Sequence, residues 1–424
     1  MTKEMLDQYA RILKEELVPA MGCTEPIAVA YAAALARETL GEPPRQVQVL
    51  VSPNILKNVK SVVVPHTQGL RGIAAAAATG IAAGRAGRKL EVISEATEED
   101  IARVRRYLDR VPIAVGCSQR EWLLNIQVTV RAGEHSAFVE IAGSHTHVIR
   151  VERDGEALAA EDYEEAGPEP TACSGLTVEG IVDFAGQVDL DLVAPTLERQ
   201  IALNTAVAQE GLTGRWGAGI GRILLDAYGD QVHNRAKAMA AAGSDSRMSG
   251  CELPVVINSG SGNQGLTASL PVIVYAEDMG ASRQELLRAL VVSNLVTIHL
   301  KEGIGKLSAY CGATSAGCGA AAGVCYLMGG RLSEIAHTIV NGVAINSGMI
   351  CDGAKPSCAA KIASAVEAGL LGLQMQRHNA QFFGGEGIVT KGVEATILNV
   401  CSLARNGMAS TDKEIIRMMT CEGC

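Results

Sequence analysis

The sequence predicts an α+β protein: an N-terminal mixed α/β domain followed by a mostly α-helical domain. Three observations carry this expectation. Apolar residues alternate with period two almost entirely ahead of Val151, helical spacing dominates from Thr177 onward, and an acidic, Pro-containing stretch between Glu156 and Ser174 separates the two regimes. The expected units are residues 1–160 and residues 175–424.

Leu6, Tyr9, Ile12, Leu13 and Leu17 recur at helical spacing, and Pro19 and Gly22 end that helix. A second helix is expected to begin near Cys23-Thr24-Glu25-Pro26, with Thr24 as its cap, and to run through alanines to about Leu40. Val47, Val49 and Val51 alternate as a strand, and Val62 to Val64 suit another. Residues 71–84 and 97–108 read as helices. Ile126, Val128 and Val130, then a Gly133 turn, then Ala137, Val139 and Ile141 read as a hairpin, with a third strand over residues 146–151. Beyond Thr177, Pro254 to Asn258 is the main strand-like exception.

The chain has 424 residues, room for two or three domains, and 48% hydrophobic against 20% charged residues places it among globular proteins. Aromatics make up only 3% while Gly numbers 46, so the interior must be built from small aliphatic residues and closely approaching helices. The net charge of −9, with no basic or aromatic-interleaved run, argues against nucleic-acid binding. Charges spread over Met1 to Leu17 leave no apolar core for a secretory signal, so a cytoplasmic protein is expected. Leu307 to Gly330 is uncharged but too rich in Gly, Ala, Ser and Thr for a membrane span; a buried helix or loop is expected, and no membrane partner. A homodimer is the expectation from size and class.

Twelve cysteines in a reducing compartment raise metal ligation or catalysis, against the plainer reading that buried Cys is a small hydrophobe, applied to about half of them. The densest region is Tyr310-Cys311-Gly312-Ala313-Thr314-Ser315-Ala316-Gly317-Cys318, followed by Cys325 and then by Cys351-Asp352-Gly353-Ala354-Lys355-Pro356-Ser357-Cys358. The Gly and Pro around these cysteines favour loops at helix ends, where thiolates can converge. Neither zinc-ribbon nor ferredoxin spacing is present, so spacing leaves a metal site and a structural role evenly matched. Cys318 and Cys325, seven residues apart, are expected in the core. Cys23 stands at an expected helix N-terminus, where the macrodipole favours a thiolate; base, ligand and buried small residue all remain open.

Ser259-Gly260-Ser261-Gly262-Asn263-Gln264-Gly265 formally matches the dinucleotide glycine pattern, but Pro271 is expected to interrupt the helix that should follow. A polar loop able to hold a carboxylate or ammonium reads better, with an ordinary turn as the alternative. Ser144-His145-Thr146-His147 lacks a third metal ligand nearby. Lys301, Lys306 and Lys355 are conceivable Schiff-base lysines, yet no phosphate cradle singles one out.

Taken together, Met21 to Pro26, Asn258 to Gly265 and the Cys311, Cys351, Cys358 set resemble the L-cysteine desulfidase family over nearly the whole chain. The second half is also similar to the α region of the iron–sulfur L-serine dehydratases, although the spacing from Cys351 to Cys358 is shorter here. The resemblance implies that Cys311, Cys351 and Cys358 bind a [4Fe-4S] cluster, and that Cys23 lies in the active site as general base. It implies further that Thr24, Glu25, Ser259, Ser261, Asn263 and Gln264 meet a small amino-acid substrate. Three thiolates leave one iron open as a Lewis acid, so the implied reaction is β-elimination of L-cysteine to pyruvate, ammonia and sulfide without pyridoxal phosphate. Cys421 and Cys424 are conceivable tail ligands. Alternatives are an L-serine or other β-substituted amino-acid lyase, a cysteine-rich iron–sulfur sensor, and a nucleotide-dependent oxidoreductase resting on Gly260, Gly262 and Gly265.

Overall fold

The first amphipathic run forms α1 (Lys3–Glu16), whose cap is the Thr2 side chain accepting from the Met5 N–H. Its apolar stripe, Tyr9, Ile12 and Leu13, shares a core with Phe184 and Leu197 of the later helices rather than with the N-terminal sheet. In the computed structural model, residues 1–22, 24–120, 122–164, 175–305 and 308–420 are described. Cys23, Lys306, Cys421, Cys424 and most of the acidic stretch up to Ser174 lie outside them.

After α1 come β1 (Pro19–Met21), α2 (Thr24–Leu40), β2 (Gln46–Val51), α3 (Pro53–Val59), α4 (Gly72–Ala83) and α5 (Glu98–Arg110). Strands β3 (Ile113–Cys117), β4 (Asn125–Ala132), β5 (His135–Ala142), β6 (Val148–Arg153) and β7 (Glu156–Ala160) follow. Six strands make one sheet in the order β3-β2-β4-β5-β6-β7, parallel between β2 and β3 and antiparallel elsewhere. Val49 and Val51, Ile126, Val128 and Val130, and Val139 and Ile141 bury one face in a core shared with the alanines of α2 and α4. Small residues allow that core to be thin. A Cβ on Gly80 would stand 2.0 Å from the Ala30 carbonyl oxygen, so α4 crosses α2 with backbones nearly touching.

The expected hairpin and third strand are β4, β5 and β6. Four elements of this half were not legible: β1, α3, β3 and β7. The edge strand β3 is half exposed, and β7 is exposed along its whole length, so neither needs apolar alternation. Residues 62–64 contribute only an isolated Val63–Arg71 bridge instead of the expected strand.

The second half consists of α6 (Val178–Gln187), α7 (Leu190–Thr213), α8 (Ile220–Tyr228), α9 (Val232–Met248), β8 (Pro254–Val256), α10 (Gly262–Met279), α11 (Arg283–Ile304), α12 (Gly312–Leu327), α13 (Leu332–Ile345), α14 (Cys358–Arg377), α15 (Val393–Ser402) and α16 (Ala409–Thr420). Fold class is thus α+β, mixed sheet first and helices after. The uncharged stretch near residue 320 is α12, buried among α10, α11, α13 and α14. A Cβ on Gly317 would meet the Ala365 carbonyl oxygen at 2.3 Å, and one on Gly369 the Gly317 oxygen at 2.3 Å, so α12 and α14 cross in close backbone contact. Contrary to expectation, Pro271 does not interrupt a helix: α10 runs through it to Met279, embedded in neighbours that supply what its propensity lacks. Among the described residues no helix is long and apolar enough to cross a membrane.

One small feature ties the two halves together. Strand β1 pairs antiparallel with β8, Ala20 opposite Val255. Each is three residues long, about 10 Å at strand rise, so the Gly22–Glu25 segment and the Asn258–Gly265 loop leave opposite ends of one short ribbon.

Candidate active site

Three thiols collect at the ends of α12 and α14. Cys311 is the N-cap of α12, Cys358 is the first residue of α14, and Cys351 lies in the loop before it. An isolated bridge between Tyr310 and Ile350 sets the first pair side by side: Cys311 N–H donates to the Met349 carbonyl at 2.9 Å and Cys351 N–H to the Ala309 carbonyl at 2.6 Å. Their thiols hydrogen-bond to each other, and Cys358 lies within Coulombic reach of both. The Cys358 Sγ stands 3.7 Å from the Gly353 carbonyl oxygen. All three are half-buried, whereas Cys251, Cys318, Cys325 and Cys401 are buried; every described cysteine is free. Burial pushes Cys318 up to about 12 and Cys325 and Cys401 to about 11, making them inert core residues.

The paired thiols are electrostatically unequal. The hydrogen bond from Cys311, with the ammonium groups of Lys57 and Lys301, holds Cys351 below the ordinary thiol range despite burial, while the same hydrogen bond and burial push Cys311 well above it. The arrangement thus favours a single negative charge on the pair, carried by Cys351, over two. Lys57 on α3 and Lys301 on α11 are 3% and 4% exposed, unusually deep for lysine. Burial lowers the Lys301 ammonium, and the Cys351 and Cys311 sulfurs work against that shift. Lys57 also pairs with Asp412 of α16 at 2.6 Å.

This donor set suits an iron–sulfur cluster. Thiolates are its usual ligands, two buried cations offset their charge, and helix N-termini bring backbone N–H groups to the sulfurs. Among the described residues no group of three or more His, Cys, Asp or Glu side chains is placed to hold a single metal ion.

The two other sequence motifs border the same region. On the α10 side, Gln264 lies against the start of α12: a Cβ on Gly312 would be 2.6 Å from the Gln264 Cδ. The Gln264 Oε1, Thr314 Oγ1 and Ser315 Oγ atoms are buried and, among the described residues, have no hydrogen-bond partner. The loop is fixed from beneath. Asn258 donates to the Asn294 side chain at 3.0 Å, Asn294 exchanges hydrogen bonds with Gln200 at 2.8 and 3.0 Å, and Asn204 holds both polar backbone groups of Val256. Ser259, at φ +49°, turns its hydroxyl back to Asn258 at 2.9 Å, and Ser261 caps α10 by accepting from the Gln264 N–H. The α2 motif approaches from the other side. Thr24 is the first residue of α2 rather than its cap; it donates to Glu25, whose other oxygen accepts from Asn58 of α3 at 3.3 Å.

Sequence reasoning did not find Lys57, Arg247 or the amide network of Gln200, Asn204, Asn258 and Asn294. Arg247 could have been suspected, as a cation ending a run of small residues, Ala240 to Ser246, on α9. It is 9% exposed, donates to the Gly22 carbonyl at 3.0 Å and to Asn263 Oδ1 at 3.2 Å, and so joins the two motifs. Nothing in the local sequence marks Lys57. Of the Schiff-base candidates, Lys301 faces the thiols, and Lys355 pairs with Asp352. His147 contacts Glu161 at 3.1 Å on the surface.

Comparison with known proteins identifies the family. A model of the serine dehydratase alpha chain family matches residues 87–417, beginning inside the sheet-bearing half and covering the whole thiol region. A UPF0597 protein of Desulfitobacterium hafniense (strain Y51) is 54% identical over 97% of this chain and 96% of its own length. UPF0597 proteins of Lachnoclostridium phytofermentans and Finegoldia magna are 50% and 45% identical, covering 99% and 98% of this chain and nearly all of their own. The chain belongs to the serine dehydratase alpha chain family.

Proposed function

We propose that the protein is a [4Fe-4S]-dependent carbon–sulfur lyase that eliminates sulfide from L-cysteine, giving pyruvate and ammonia without pyridoxal phosphate. The observation that carries the reading is the meeting of Cys311, Cys351 and Cys358, from two distant segments, beside two buried lysines. Family membership supports lyase chemistry in general. L-Serine is the second substrate reading, since a hydroxyl leaving group asks for the same arrangement; a soft thiolate leaving group favours cysteine at iron.

In this reading Cys311, Cys351 and Cys358 hold the cluster. When bound, it supplies an open iron that acts as Lewis acid toward the departing sulfur. The chain's own groups do the rest. The polar rim formed by Ser259, Ser261, Asn263 and Gln264 on one side and Thr24 and Glu25 on the other orients the amino acid. The rigid amide network beneath the loop keeps that rim from relaxing around water. Cys23, outside the described residues, takes the Cα proton as general base. The electron pair of the broken Cα–H bond forms the Cα–Cβ double bond as the Cβ–S bond breaks, and sulfide carries that bond's electrons away. The resulting aminoacrylate becomes an imine, and water converts it to pyruvate and ammonia. Lys57 and Lys301 offset the negative charge gathered on the sulfurs.

The test is anaerobic reconstitution with iron and sulfide, followed by parallel pyruvate assays on L-cysteine and L-serine. Pyruvate and sulfide from L-cysteine support the reading, and a faster reaction with L-serine moves it to the dehydratase alternative. A fully reconstituted protein forming pyruvate from neither would end it.

A further inference from the structure

Arg247 presents an electrostatic problem that the fold does not solve. A guanidinium is always charged, and burying it without a counter-ion is strongly unfavourable. Arg247 is 9% exposed, and among the described residues its guanidinium is met only by neutral oxygens, the Gly22 carbonyl and the Asn263 side-chain amide. Its Nε is buried with no hydrogen-bond partner there. The acidic residues nearby in sequence are engaged elsewhere. Asp245 turns to α8, where its Oδ2 accepts from the Gly221 N–H, and Glu252 contacts His66 at 3.2 Å. The C-terminal dipole of α9 offers only a fraction of a charge.

The unpartnered Nε does not point at random. A Cβ on Gly262 would stand 2.3 Å from it, so the guanidinium lies directly against the first residue of α10. The Gln264 N–H of that 18-residue helix is capped by Ser261, while the Gly262 and Asn263 N–H groups have no partners within the helix, and its positive dipole end adds to the arginine. Two independent anion-seeking features thus share one spot, between the Gly22 segment and the Asn263 loop. A bare α-carboxylate is the ligand that fits: one negative charge, two acceptor oxygens, and a planar shape that suits a guanidinium edge beside helix N–H groups.

Resting on the lyase reading above, we infer that Arg247, with the first turn of α10, is the anchor for the substrate's α-carboxylate. Arg247 thereby sets the class of ligand as α-amino acids and excludes simple amines. Its ties to Gly22 and Asn263 also make substrate binding draw the two motifs together.

The probes are L-alanine, which has the carboxylate and ammonium but no leaving group, and ethylamine, which lacks the carboxylate. Their binding to the anaerobically reconstituted full-length protein is measured by calorimetry for wild type, Arg247→Met and Arg247→Lys. The expected result is that wild type binds L-alanine far better than ethylamine. Arg247→Met should then lose on the order of 100-fold in L-alanine affinity and Arg247→Lys about 10-fold, with ethylamine unchanged. Should Arg247→Met fail to fold, Arg247→Lys decides. Wild-type affinity for L-alanine in a folded variant, or no preference for L-alanine over ethylamine in wild type, overturns the inference. The two readings fail separately. Arginine-dependent L-alanine binding with no pyruvate from any amino acid would retire the lyase and keep the anchor; pyruvate formation with an unchanged KM in Arg247→Met would do the reverse.

Discussion

Replacing Gly317 by alanine tests how backbone contact between α12 and α14 sets the thiol geometry. In an open helix this change is favourable by about 1 kcal/mol, because alanine is the better helix former. Here the new Cβ would stand 2.3 Å from the Ala365 carbonyl oxygen, where ordinary contact begins at 3.4 Å. The shortfall is 3.4 − 2.3, about 1.1 Å. A backbone oxygen inside a helix cannot rotate away, so the two helices must separate by roughly that much. Overpacking of this kind costs about 1–3 kcal/mol, enough to cancel the propensity gain and leave a net loss of about 0–2 kcal/mol. The functional effect is larger. Cys311 caps α12 and Cys358 begins α14, so a shift of about 1 Å between these helices moves one thiol against the other and should lower turnover about 100-fold. The control is Gly186→Ala on α6, where a Cβ meets nothing within 4 Å and the propensity gain of about 1 kcal/mol should appear alone. Scanning calorimetry gives the midpoints, and iron content after reconstitution reports the triad. If Gly317→Ala melts above wild type by as much as Gly186→Ala does and binds full iron, the close-crossing reasoning is wrong.

Three further outcomes are expected. Asp412→Ala removes the partner of Lys57, whose side chain is 2% exposed, and should cost about 3 kcal/mol and release α16, seen as faster proteolysis of the C-terminal segment. In the cluster-free protein, iodoacetamide should modify Cys351 at pH values below those at which ordinary thiols react, and Lys301→Met should move that onset upward; equal pH profiles would remove the lysine's electrostatic role. Burial raises the Glu394 carboxyl, but His299 and the Val178 N–H outweigh it and hold the group below the ordinary glutamate value. Folded Glu394 thus binds its proton less readily than the unfolded chain. Its contribution is present above the ordinary glutamate value and lost as the pH falls through the lower folded one, so Glu394→Gln should flatten the acid limb of the melting curve.

What the sequence made legible follows physical range. Period-two runs gave β2, β4 and β5 because alternate residues along them are buried, and helical spacing gave α1 and α5 because each buries one stripe, whereas α2 and α4, buried nearly all round, were legible from their alanine-rich composition. Strands β3 and β7 carry no such mark, being exposed edges fixed by their neighbours' hydrogen bonds. Pro271 misled because propensity is local while burial of α10 is not. The motifs around Cys311, Cys351, Cys358 and Ser259–Gly265 could be read from residue type and resemblance. Lys57 and Arg247 could not be assigned, since the importance of Lys57 lies in its depth and its ion pair with distant Asp412, and that of Arg247 in its depth and missing counter-ion, all of which depend on contacts across hundreds of residues.

Iron and acid-labile sulfide, quantified after anaerobic reconstitution of wild type, Cys311→Ala, Cys351→Ala, Cys358→Ala and Cys318→Ala, bear most directly on the thiol triad. Wild type and Cys318→Ala, the latter altered only in the core, should bind about four of each per chain, the stoichiometry of a [4Fe-4S] cluster, while each triad variant loses most of both. Full iron and sulfide in any one of the three triad variants, or none in wild type, would contradict the account.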